Sequence, residues 1–151
     1  MAWKTITDLD VLGKSTGGEV DAARTAALAV DQADPVPGII DQVVREVRGY
    51  VATCSRNSLG PAGTIPDELL GAALNRIRFE CATRIPGGAL LDEDRRTANR
   101  DALAMLRDAA ACKITIEQPT IVSPEIVASG SGVQLVTSCR RVADRNSLRG
   151  L

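Results

Sequence analysis

The side chains best equipped for chemistry are four cysteines and one knot of acids. Cys54, Cys81, Cys112 and Cys139 lie 27, 31 and 27 residues apart, and the chain has no histidine. Zinc sites bring ligands in close pairs, about two to four residues apart, and commonly add histidine. The expectation is therefore reduced thiols packed as small hydrophobes at helix ends, with no metal and no cofactor. Asp92, Glu93 and Asp94 in "LDEDRR" would suit a divalent cation. At a helix start the same acids simply complement the positive end of the helix. "GPAG" lacks the Lys-Ser/Thr of a phosphate-binding loop, and "SGSG" at 129–132 lacks it too. Without histidine, proton transfer would fall to carboxylates, Cys, Lys or Tyr. No cysteine has an evident base beside it. The pattern does not point to an enzyme.

Arginines raise the question of nucleic acid. Arg76, Arg78 and Arg84 lie on one expected helix and Arg95, Arg96 and Arg100 on the next, interleaved with Glu80, Asp92, Glu93, Asp94 and Asp101. The net charge is −1, and one Trp, one Tyr and one Phe give no stacking platform for single strands. The loop between the two best helices is about ten residues, longer than the turn of a helix-turn-helix. No apolar run approaches the ~18–20 residues that span a bilayer, and "MAWKTITDLD" does not read as a signal peptide, so an intracellular chain is expected.

The elements follow from periodicity. The apolar content is mostly Ala, Val, Leu and Ile, which let helices approach closely but bury little area each. "TDLDVLG" predicts a short helix capped by Thr7 and stopped by Gly13, and a second runs from about Glu19 to Ala29. Asp34 and Pro35 open an amphipathic helix over 36–54, whose stripe includes Val43 and Val47. Pro66, Asp67 and Glu68 open another over 66–85, with Leu69, Leu70, Ala73, Leu74, Ile77 and Cys81 inward and "PGG" at 86–88 ending it. A last helix spans 92–111, burying Ala102 and Leu106. "KITIEQP" and "GVQLVTSC" alternate like short strands. The fold class is mainly α, a compact bundle of four to five helices over 1–112, with an extended or β-hairpin arm over 113–151.

Taken together, "GIIDQVVREVRGYVATC", the loop, "IPDELLGAALNRIRFECATRI", "EDRRTANRDALAMLRDAA" and "CKITIEQP" resemble the small head–tail connector (adaptor, head-completion) proteins of tailed phages, Mu-like branch. Tyr50, Ile65-Pro66, Leu69, Ala73, Arg100, Ala104 and Leu106 carry the likeness. The family often has aromatics where this chain has Cys54, Ser55 and Arg78. The resemblance covers residues 5 to 118.

The resemblance implies a ring, a dodecamer, in the virion neck beneath the portal protein, made in the bacterial host cytoplasm. A tail-side stopper or tail-terminator would lie below, and genomic DNA would pass through the lumen without sequence-specific binding. The loop at 55–64, with Leu59, Gly60 and Pro61, is then an interaction or lumen-facing element; the plainer reading is a surface connection. Arg140, Arg141, Arg145 and Arg149 make the arm's end basic and suit docking onto acidic groups, the alternative being a frayed tail. The competing class is a small helical DNA-binding or packaging-regulatory module encoded by a phage.

Overall fold

The structure, a computed structural model, describes residues 3–26, 33–85 and 90–119. The "PGG" stop, the "GVQLVTSC" strand, "SGSG", Cys139 and the four tail arginines lie outside those residues, and the helix expected to run from Glu19 to Ala29 ends earlier, at Thr25, where Ala26 turns extended.

Five α-helices stand among the described residues: α1 (Asp8–Lys14), α2 (Gly17–Thr25), α3 (Pro35–Thr53), α4 (Leu70–Thr83) and α5 (Glu93–Ala110). Each start has a chemical reason. The Asp10 carboxylate accepts from the backbone N–H and hydroxyl of Thr7, both at 2.8 Å, and so fixes the first turn of α1. Thr16 and Glu19 cap one another at the start of α2. Asp34 accepts from the Val36 amide ahead of Pro35 in α3, and Asp92 from the Arg95 amide in α5. The acid knot at 92–94 is thus a helix start: one cap and two first-turn acids. Before α4 the chain makes a 3-10 turn, Asp67–Leu69.

Helices α3, α4 and α5 pack around one core in which Val36, Val43, Val47, Val51, Leu69, Ala73, Ile77 and Leu106 are fully buried. Leu70 and Leu74, expected inside, sit half-buried at its rim. The turn before α4 brings Leu69 to the interior, so the inward stripe runs through Ala73 and Ile77 rather than one residue further on. Arg76 occupies that stripe as a buried charge. Its guanidinium donates to Glu46 on α3 at 3.1 Å, to Glu80 at 2.8 Å and to Asn99 on α5 at 2.7 Å. Three helices therefore share one satisfied cation, the condition under which a charge is tolerated inside.

Two short strands escape the sequence patterns. β1 (Lys4–Thr5) pairs antiparallel with β2 (Thr64–Ile65), Lys4 opposite Ile65 and Thr5 opposite Thr64. Two residues are too few to show alternation. The reverse correction applies to "KITIEQP": residues 113–119 form no strand. Ile116 is buried and Ile114 half-buried, while Thr115 between them is exposed. The alternation reports one-sided burial against the helices. The segment expected to open the arm lies on the body and belongs to a compact unit running Met1–Ile121.

Candidate functional site: a clasped loop at the disulfide end

The chain leaves α3 at Cys54 and does not reach β2 until Thr64, and this loop is fixed at several points. Arg48, in the second-last turn of α3, reaches out with its guanidinium. It donates to the carbonyls of Gly60 (3.1 Å), Pro61 (2.8 Å) and Thr64 (2.7 Å). The planar fork of arginine suits three backbone acceptors at once. Thr64 closes a turn onto the Pro61 carbonyl at 3.2 Å, with Gly63 at φ +77°. The third position of a type II turn needs that left-handed conformation, which glycine adopts without strain.

Trp3 closes the clasp. Arg48 lies 5.7 Å from the Trp3 ring centroid, within cation–π range. On its other contact the ring rests against Gly60, where a Cβ would come 2.4 Å from Trp3 Cδ2. Only glycine leaves room for the indole there. Trp3 Nε1 in turn donates to the Glu117 carbonyl at 3.2 Å.

The segment after α5 completes the arrangement. Ser58 N–H donates to Gln118 Oε1 at 2.7 Å, and Glu117 N–H to Glu68 Oε1 at 3.0 Å. Arg56 donates to the Cys112 carbonyl at 2.7 Å. Cys54 and Cys112 are joined in a disulfide, with Cα atoms 5.3 Å apart and a sequence separation of 58. This corrects the expectation of reduced thiols for two of the cysteines. Both stand at helix ends, as expected, but the ends of α3 and α5 meet, and the sulfurs meet with them. In the chain-entropy account, closing a loop of that length restrains the unfolded chain by about 4 kcal/mol. Cys81 is free and buried, and burial pushes its thiol up to about 11; it is the small hydrophobe the sequence suggests.

Beside the disulfide is a cleft of about 140 Å³, lined by Arg56, Asn57, Ile114, Thr115, Ile116 and Gln118 along with the two cysteines. Its lining holds a guanidinium, two amides and apolar side chains, with no carboxylate and no thiol. Such a wall offers hydrogen bonds and apolar contact. Among the described residues no group of three or more His, Cys, Asp or Glu is placed to hold a metal ion.

The three expected loop residues divide. Leu59 projects, 44% exposed, and Pro61 is exposed beside it, whereas Gly60 is covered by Trp3. Trp3, Arg48 and Gln118, which fix the loop, were not among the residues singled out by pattern. The signals for them were faint: the chain's only tryptophan, and an arginine on the polar face of α3 close to the loop.

A second charged cluster lies on the α2 flank. Glu19 pairs with Arg78 at 3.4 Å and with Arg95, and Arg24 bridges Asp8 at 2.9 Å and Asp34 at 3.1 Å. Burial pulls the Glu19 carboxyl up, and the Thr16 amide with Arg78 and Arg95 more than offsets it, leaving the group below its ordinary value. With Arg76 buried on its three partners, three of the six bases of the supposed basic patch are held by carboxylates of the protein itself. Arg96 and Arg100 remain exposed, and Arg100 lies 3.8 Å from Glu93. No helix of the described residues is long and apolar enough to cross a membrane. Comparison with protein-family models, with curated proteins and with solved structures gives no match.

Proposed function

We propose that the chain is a structural head–tail connector of a tailed phage or phage-like particle, a ring subunit that docks beneath the portal. The observation that carries this reading is the clasp. It fixes a long loop against the helical body, leaves Leu59 and Pro61 outward, and sets the start of the C-terminal segment beside that loop. A subunit joining two larger assemblies needs a rigid body with a presented loop and an arm leaving close by. Leu9, 78% exposed, and Leu12 on α1 add apolar surface for a neighbouring subunit. The tail arginines Arg140, Arg141, Arg145 and Arg149 are the candidate docking charges on the portal or an adjacent subunit. In this reading the protein works by binding and catalyses nothing, and DNA passes through its lumen. Internal pairing of Arg76, Arg78 and Arg95 weighs against the DNA-binding alternative, because charges held by Glu46, Glu80 and Glu19 are not offered to phosphate.

Sedimentation velocity tests the reading. The chain alone should run as a monomer and should join a much larger species when the portal protein of the same phage is added. Leu59→Asp and truncation after Pro119 should each weaken that association while leaving the helical signal intact. A stable dimer that ignores the portal and binds duplex DNA would replace this reading with the regulatory one.

A further inference from the structure

The disulfide sits where the chain leaves α5 and continues without helix or strand. Cys112 follows α5 with φ +58°, the left-handed conformation. Its N–H bonds to the Ala109 carbonyl at 3.1 Å, and the Lys113 N–H reaches back to the Asp108 carbonyl at 2.9 Å. This is the paired cap that ends many helices, and its left-handed position normally belongs to glycine, because a Cβ is disfavoured there. The cross-link to Cys54 restrains Cys112 in that conformer. Beyond it, residues 113–119 rest on the body without helix or strand, through Ile116, the two backbone groups of Glu117 and the Gln118 amide. The direction in which the chain leaves α5 therefore depends on Cys112. Cys112 is only half-buried, and both cysteines line the open cleft.

We propose that Cys54–Cys112 is a thiol-operated clasp that locks or releases the segment after α5. The thiolate of a small thiol of the glutathione class attacks Cys112 Sγ, the S–S bond breaks, and Cys54 leaves as a thiolate that takes up a proton. A second small thiol attacks the mixed disulfide, freeing the Cys112 thiolate, which is protonated, and giving one small-molecule disulfide. Two thiols thus supply the two electrons, and exchange with a small disulfide runs the sequence backwards. A reducing compartment holds the clasp open and an oxidising one closes it. Opening removes the restraint on Cys112, so its cap relaxes and residues 113–119 come away from Ser58, Glu68 and Trp3. The α3–α4–α5 core touches the disulfide only at its end, through buried Cys54, and with its Arg76 network stays folded. This inference stands apart from the connector reading.

Hydrogen exchange on the full chain, equilibrated with glutathione disulfide or with glutathione, tests it. Peptide mapping of the oxidised sample should yield a Cys54–Cys112 cross-linked peptide, with Cys81 outside it. Reduction should speed exchange at the Glu117 and Ser58 amides by about tenfold or more while helix-interior amides of α3 and α4 stay protected. The double variant Cys54→Ser with Cys112→Ser should match the reduced protein in both buffers. The proposal is overturned by absence of the cross-link, by equal exchange at Glu117 in the two samples, or by loss of protection throughout the body on reduction. Should the double variant not fold, the two wild-type samples decide the matter alone.

Discussion

At the disulfide end, irregular chain is held by side chains that reach backbone atoms, and by one covalent bond. On the α2 flank, regular helices are held to each other by side chain–side chain ion pairs. Arg48 grips three carbonyls and Trp3 covers a glycine, so the loop keeps one shape with almost no secondary structure of its own. Glu19, Arg78, Arg95, Arg24 and Asp8 instead tie together elements whose backbones are already satisfied. The first arrangement answers to shape and redox state, and the second to pH and salt. A loop can thus be rigid enough to present a residue such as Leu59, although its composition alone suggests a loose connection.

The largest effect should come from the core that both regions share. Ile77→Asp places an unpaired charge at a fully buried position of α4, at a cost of about 5 kcal/mol or more. Circular dichroism should show the helices lost at room temperature, and an unchanged melting temperature would contradict the packing described. Next comes Arg76→Ala, which leaves Glu46, Glu80 and Asn99 without their common donor and should cost about 3 kcal/mol in denaturant titration. Arg76→Lys should recover little of that, since a single ammonium cannot reproduce the fork.

Gly60→Ala sharpens the contrast, because it attacks the clasp and spares the flank. A Cβ 2.4 Å from Trp3 Cδ2 must displace the ring, at about 1–3 kcal/mol. The only tryptophan of the chain reports this directly: its fluorescence should shift toward that of exposed indole, with helix content unchanged. The smallest effect is that of acid on the other region. Lys4, then the Thr7 amide and hydroxyl, hold Asp10 down at about 2, below its ordinary 3.8, and Glu19 is lowered as well. Carboxyls lowered in the folded state stabilise it above their unfolded values and lose that contribution as pH falls through the folded ones. Between pH 4 and 2 the amides of α1 and α2 should lose protection ahead of those of the Trp3 clasp. Simultaneous loss would mean that the two regions are not fixed independently.

The helices were legible in the sequence because capping residues and 3.6-residue stripes are local signals. Asp34-Pro35 and Asp92 start α3 and α5 where their types predict. Burial of Val43, Val47, Ile77, Ala102 and Leu106 followed from spacing alone. The clasp was not legible, since the contacts that close it join residues far apart in the chain: Trp3 with Glu117, Ser58 with Gln118, Cys54 with Cys112. Cysteine spacing speaks only to close-set zinc pairs and says nothing of a pair brought together by the meeting of two helix ends. Arg76 was misread for a related reason. Its charge suggested one more surface base, although it shares the inward face of α4 with Ala73 and Ile77, and partners from three helices satisfy it there.

The most direct test of the connector reading is electron microscopy of the full chain mixed with the portal protein of the same phage. The account predicts an added ring of density on the tail-facing side of the portal, in register with its symmetry, that is lost with Leu59→Asp or with truncation after Pro119. Portal particles that look the same with and without the chain, at concentrations well above those in the cell, would contradict it.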